Sequence, residues 1–204
     1  MPQLLMEDTY KTISNPSEGL FKEKGSKFIS FAYPVTSEDE TREIVLSLKK
    51  EHHSARHHCY AWRLGHEKLQ FRANDDGEPS STAGKPILGQ IQSFDLTNIL
   101  IVVVRYFGGT LLGVSGLINA YRNAALDAIN QAEIVERLVE QKLLIEFSYG
   151  VMNEVMKIFK DEKLIQIDPV FDLKCQIKTL IRLSDLNRIE EGLKKLEGLK
   201  VSYI

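Results

Sequence analysis

The run NILIVVVRYF, residues 98–107, constrains the fold more than any other stretch of the chain. From Ile99 to Val104 every residue is apolar and all but Leu100 are β-branched, so the segment has no polar face. Bounded by Asn98 and Gly108, it reads as a buried central strand. It is far short of the ~18–20 apolar residues that a membrane span requires. The N-terminus MPQLLMEDTYK has neither a basic start nor an apolar signal core, so the chain is expected in the cytoplasm, without membrane contact.

Around this strand the pattern is mixed. From Tyr10 to Val35 the segments YKTI, GLFKEK and SKFISFAYPV alternate and read as strands broken by turns. Ser37 and Glu40 form a capping box, and Ile44, Val45 and Leu48 give the stripe of a helix through Lys50. RHHCYAWRL alternates again as a strand, with a polar turn at Leu64–Glu67. Pro86 suits the first turn of a helix carrying Ile87, Leu88 and Ile91 and ending near Ser93. A glycine-punctuated loop after Phe107 leads into a helix from about Ser115 to Gln131, whose small residues permit close packing.

The charged stretch Glu133–Gln141 changes the texture. Beyond it come strand Lys142–Phe147, helix Tyr149–Asp161, strands Leu164–Phe171 and Leu173–Leu183, helix Asp185–Leu196 and strand Lys200–Ile204. That βαββαβ order is the ferredoxin-like unit, with Ser184 as N-cap and Gly198 as C-terminal stop of its second helix. The fold class is α+β, with domains at residues 1–136 and 137–204, a division consistent with 204 residues in all.

Two segments could carry chemistry. DDGEPSSTAGKPIL, Asp75–Leu88, concentrates acids, hydroxyls and glycines. Asp75, Asp76 and Glu78 could offer hard oxygen ligands to a divalent ion, or Ser80–Gly84 donors to an anion. Equally, Asp76-Gly77 makes a turn and Ser81 or Thr82 caps a helix. RYFGGTLLGVSGL, Arg105–Leu117, leads from the buried strand to a helix N-terminus suited to phosphate or carboxylate. Val114 stands where a P-loop needs lysine, and the GxGxxG spacing is absent, so a tight structural crossover is the competing reading. Arg105, at the end of a buried strand, needs a carboxylate or an anionic ligand as partner.

All five histidines lie between His52 and His66. Along a strand His57 and Cys59 share one face and His58 and Tyr60 the other, so the cluster does not converge on a metal. Cys59 and Cys175 lack CxxC spacing and are expected as free thiols. A serine triad could be drawn, but there is no GxSxG elbow. No catalytic residue, metal or cofactor is assigned. Lys plus Arg number 26 against 28 acids, a net charge of -2, so any RNA contact must come from a local patch, such as Lys22, Lys24, Lys27 and Lys85.

Together HHSARHHCYAW, DDGEPSSTAGKPIL and VVVRYFGGTLLGVSGLINAY resemble, in order and separation, the signature blocks of the IMPACT/YigZ family, and the ferredoxin-like unit resembles the extra domain of its bacterial members. The resemblance implies a first domain folded like ribosomal small-subunit protein and elongation-factor domains, and a second like the last domain of elongation factor G. It marks His52, Ala55, His57, Asp75, Asp76, Gly77, Glu78, Pro79, Thr82, Gly84, Pro86, Arg105, Tyr106, Phe107, Gly108, Gly109, Gly113, Gly116 and Tyr121 as motif positions without catalytic roles. Ser81 and Ser115 stand where the family commonly has glycine, and Leu111 and Asn119 where it commonly has basic residues.

Eukaryotic members are linked to translation control under amino-acid starvation. The expected function is thus a non-enzymatic, translation-associated regulator that binds ribosome, RNA or a translation factor. The alternative is a metal-assisted hydrolase or phosphate/nucleotide-binding enzyme using the DDGEP and RYFGG loops. A homodimer through the edge of the ferredoxin-like sheet is a third reading.

Overall fold

The computed structural model describes residues 8–204. It is an α+β chain of two compact units, residues 10–137 and residues 138–204 with the described residues before Tyr10. The first contains β1 (Thr9–Ile13), β2 (Ser17–Glu23), β3 (Ser26–Pro34), α1 (Glu38–Glu51), β4 (His57–Leu64), β5 (Gln70–Asn74), α2 (Gly84–Ser93), β6 (Ile99–Tyr106), α3 (Gly113–Gln131) and β7 (Ile134–Leu138). An antiparallel five-stranded sheet runs in the order β2-β3-β6-β4-β5, and β1 pairs with β7 separately.

The apolar run is β6, at the centre of this sheet, and its lack of a polar face follows from cover on both sides. Ile99, Ile101 and Val103 join Phe28 and Cys59 beneath α2 and α3, packing on Ile87, Ile91, Leu117 and Ala124. Leu100, Val102 and Val104 face the other way, with Phe31, Trp62 and the Val45 and Leu48 side chains of α1. Side chains alternate across a strand, so the next residue in the first set is Arg105 and the next in the second is Tyr106. The run thus delivers a guanidinium to the α2/α3 face.

The β2–β3 hairpin turns on Lys24 and Gly25, both at positive φ (45° and 79°). That is the type I′ geometry that matches strand twist. Its turn lies against the loop after β6 so closely that a Cβ on Gly108 would sit 1.9 Å from the Gly25 carbonyl carbon. The small residues of α3 serve a similar approach: the Ser30 hydroxyl donates to the Ala124 carbonyl at 2.6 Å, and the Ser17 hydroxyl to that of Ala128 at 2.8 Å.

The second unit holds β8 (Glu140–Ser148), a single 3-10 turn, α4 (Met152–Asp161), β9 (Ile167–Val170), β10 (Lys174–Arg182), α5 (Leu183–Lys194) and β11 (Lys200–Tyr203). Its sheet order β11-β8-β10-β9, antiparallel throughout, is that of the ferredoxin-like fold. Leu143, Ile145, Phe147, Ile177 and Ile181 bury one face under Val155, Phe159, Ile189 and Leu193 of the two helices.

Several local expectations are corrected. Ser184 is not an N-cap: α5 begins at Leu183, and the Asp8 carboxylate accepts the Ser184 N–H at 2.9 Å while pairing with Arg182 at 3.1 Å. Gly198, at φ 75°, turns the chain into β11 instead of closing α5, which ends at Lys194. Neither Ser81 nor Thr82 caps α2, whose N-cap position is Ala83. The capping box of α1 is shifted by one residue on its return arm: Ser37 accepts from the Glu40 N–H, but Glu40 accepts from the Thr36 N–H. Strands β5 and β7 were not expected.

Because Gly108 has backbone where a side chain would go, Gly108→Ala should destabilise the protein by about 1–3 kcal/mol, as overpacking typically does. Urea unfolding checks this; an unchanged midpoint would show that the hairpin turn moves aside freely.

Candidate functional site

The DDGEP and RYFGG loops converge through Arg105. Its Nη1 lies 2.6 Å from Glu78 Oε1, with only 7% and 4% of the two side chains exposed. The Tyr121 hydroxyl, from α3, donates to the same Glu78 oxygen at 2.8 Å. The rings of Phe28 and Phe107 approach the guanidinium, centroids at 5.5 and 5.6 Å. Cys59 Sγ lies 3.3 Å from the Tyr121 hydroxyl and 3.0 Å from the Asp75 carbonyl oxygen. Burial pushes the Cys59 thiol well above its ordinary value despite that hydroxyl, so it is an inert thiol and not a nucleophile. Burial, with Cys59 and Glu78 beside it, likewise raises the Tyr121 hydroxyl, so it remains a donor.

Each of the other two acids does a different task. Asp75 accepts the N–H groups of Ser81, Ala83 and Gly84 at 2.8–2.9 Å. It is therefore the cap of α2, supplied from outside the helix. Asp76 accepts from Lys49 Nζ at 2.7 Å and from the His58 N–H at 2.8 Å. Burial pushes both carboxyls up, but the N–H groups on Asp75 and the Lys49 ammonium and His58 N–H on Asp76 outweigh it, and both are held below the usual aspartate range. Asp76 and Gly77 sit at positive φ, 40° and 88°, and Ser81 at 65°. The Thr82 hydroxyl donates to the Pro79 carbonyl at 2.6 Å. A Cβ on Gly84 would lie 2.5 Å from the Asn74 nitrogen, so α2 starts against β5.

His57 Nδ1 lies 2.9 Å from the Asp76 carbonyl oxygen, which can only accept, so this nitrogen carries the proton. His52 and Tyr106 stand apart from the Arg105 cluster: they lie on the α1 face, joined Nδ1 to hydroxyl at 2.9 Å, with His52 against Phe31. Gly109 and Gly113 carry positive φ, 86° and 72°, and a Cβ on Gly116 would lie 3.0 Å from Leu112 Cβ. Lys49 and Cys59 were missed as participants. Cys59 could have been found, because it shares a face with His57, which is paired with Arg105.

The three carboxylates thus turn to three separate sets of partners, and no oxygens converge as a cation requires. Among the described residues no group of three His, Cys, Asp or Glu is placed to hold a metal. What the loops enclose is a cleft of about 500 Å³, lined by Arg56, His57 and Pro79 together with Phe107, Leu111 and Val114, and by Glu78 and Arg105.

The segment from the β2–β3 turn through α3, residues 24–129, matches the model of the Impact N-terminal domain. The chain belongs to the IMPACT family. The IMPACT family member YigZ of Escherichia coli is 37% identical over 149 residues, covering 71% of this chain and 73% of its own length. The IMPACT family member YvyE of Bacillus subtilis is 29% identical over 195 residues, 96% of this chain and 90% of its own, so the similarity runs on through the second unit. A crystal structure of a hypothetical protein, 26% identical, superposes with a TM-score of 0.73 over 97% of this chain and 98% of its own. Within the Impact N-terminal domain the cluster of Glu78, Arg105 and Tyr121 therefore joins three separate stretches of the matched region. No helix among the described residues is long and apolar enough to cross a membrane.

Removing one partner of a buried ion pair strands the other charge. Arg105→Met alone should cost about 3–5 kcal/mol, and the same change combined with Glu78→Leu markedly less. Chemical denaturation of the single and double variants measures the difference, and equal losses would mean that the pair is not coupled.

A second expectation concerns pH. His58 is buried, and this lowers its proton affinity below the ordinary 6.5 by more than Asp76, 3.8 Å away, raises it. The folded state thus favours the neutral ring. Its contribution is complete above the unfolded value of 6.5 and is lost as pH falls below it, whereas those of Asp75 and Asp76 persist until pH falls through 3.8. The urea midpoint should drop between about pH 7.5 and pH 5, and His58→Gln should flatten that slope; a slope unchanged in the variant would assign it elsewhere.

Proposed function

We propose that this chain is a non-enzymatic regulatory protein that acts in the cytoplasm by docking on the translation machinery, through RNA of the ribosome. The reading rests on membership of the IMPACT family and on one costly feature of the β2–β3 hairpin. Lys22 and Lys27 stand directly opposite each other across the strands, and Lys24 occupies the turn. All three are exposed, and among the described residues none forms an ion pair. Like charges directly opposite destabilise a hairpin, so the arrangement costs stability that an anionic partner would offset. Lys85 does not join this set: it is on α2, near enough to Asp75 to help hold that carboxyl low.

The position of the hairpin strengthens the reading, since its turn packs on Gly108 at the mouth of the motif loop. The hydrogen-bonded carboxylates of the DDGEP loop hold that loop in shape, which suits a displayed surface better than a site where oxygens must be free for a metal. The second unit adds a sheet without the aromatic pairs that stack bases, so base recognition is not assigned to it.

Co-sedimentation with bacterial ribosomes across a salt series tests this. Binding should be saturable and fall steeply with salt. Lys22→Glu with Lys27→Glu should weaken it and reduce the slope of log K against log salt by about one for each phosphate that is no longer neutralised. Salt-insensitive binding, or binding that the double reversal leaves unchanged, would overturn the proposal.

A further inference from the structure

The cleft between the DDGEP loop and the start of α3 has features of a built site that the docking proposal does not use. A volume of about 500 Å³ is within the ~300–1,000 Å³ of small-molecule pockets. Phe107, Leu111 and Val114 give it an apolar wall although they are 52%, 84% and 60% exposed. Side chains of this kind standing in water around a concavity leave apolar surface for a ligand to cover.

Of its charged groups, two are arginines, Arg56 and Arg105, which favour negative charge. Glu78 is the only acid in the lining, and it is taken up by Arg105 and Tyr121. Arg105, though buried, leaves its Nε without a partner. Arg56 is exposed, and among the described residues it has neither a hydrogen bond nor an ion pair. His57 commits its Nδ1–H to the Asp76 carbonyl, so the Nε2 of its neutral ring is an acceptor and takes no part in receiving an anion.

The start of α3 adds a further, independent sign. Among the described residues each of the other four α-helices has an acidic group at its N-terminus: α1 has Glu38, Asp39 and Glu40 after its Ser37 cap, α2 has Asp75, α4 has Glu154 in its first turn, and α5 has Asp185 and Asp8. Among the described helices only α3 has neither an acid in its first turn nor a carboxylate brought to its first N–H groups from outside the helix, as Asp75 is to α2. Its opening residues Gly113 and Val114 line the cleft, and the first N–H groups of a helix require an acceptor from outside it.

We infer that this cleft binds a small organic anion: a carboxylate or phosphate head received by Arg56 and the N-terminus of α3, with an apolar body lying on Phe107, Leu111 and Val114. The site is independent of the lysine hairpin, so its failure would leave ribosome docking untouched, and the reverse also holds.

Amide chemical-shift titration of the full chain tests it, using 3-phenylpropionate and uridine monophosphate as the two anion chemistries. The neutral 3-phenylpropanol and uridine serve as controls, and inorganic phosphate as the head alone. Saturable shifts are expected at Gly113–Gly116 and around Phe107, with at least one anion binding about tenfold or more tighter than its neutral control, the scale of a charge-assisted contact. Which anion wins tells carboxylate from phosphate. Val114→Glu, at an exposed position, would supply the missing acid to α3 and should abolish binding without lowering the melting temperature; Arg56→Ala should weaken it. Neutral compounds binding as well as the anions, shifts elsewhere in the chain, binding unaffected by Val114→Glu, or no saturable shift with any probe would each overturn the inference.

Discussion

The burial of the Arg105 guanidinium is the constraint on which the first unit turns. A strand covered on both faces has no route to water for a charge at its end, and 7% exposure leaves little solvent to share the cost. The partner must come from the chain itself, and it comes as Glu78, held in turn by Tyr121. Three segments far apart in sequence, β6, the DDGEP loop and α3, are thereby fixed to one point. A buried pair of this kind is a poor source of net stability but a strict specifier of arrangement, because each near-miss geometry strands a charge.

The same logic distributes the acids of the loop. Asp75, Asp76 and Glu78 lie within four residues, and together in one place they would repel; the fold sends them to a helix N-terminus, a lysine and an arginine. The turn that separates them needs backbone in the left-handed region at Asp76, Gly77 and Ser81. Only Gly77 adopts that conformation without steric cost, so the remaining strain is offset by the hydrogen bonds that Asp75 and Asp76 collect.

Much of this architecture was legible. The unbroken run of β6 announced a strand with two covered faces, and the alternating patterns after residue 140 spelled out βαββαβ, because both signals come from burial with a fixed period. Arg105 could be seen to require either one of the Asp75, Asp76 and Glu78 carboxylates or an anionic ligand, though not which. What was hidden is whatever depends on distant chain. Ser184 has the right chemistry for an N-cap, yet the cap of α5 is Asp8, 176 residues earlier. Ser81 and Thr82 precede α2 as good caps should, yet Asp75 takes the N–H groups by folding back over the loop. Strand β5, QFRAN, is largely exposed, an edge strand held by backbone pairing to β4, and so it has little apolar periodicity to read.

These displaced caps bear on what the molecule can bind. Twice the fold brings an aspartate from outside a helix to satisfy its first N–H groups, so an acid within reach is the rule here and not an accident of local sequence. The longest helix departs from that rule at the place where a cleft, an unpaired arginine and exposed apolar side chains meet. Placing an acid there would have required one substitution in the first turn, and it would have stabilised the helix by about 0.3–1 kcal/mol. Stability alone therefore favours a residue that the chain does not have, and the departure is explained if something other than the chain's own side chains receives those N–H groups.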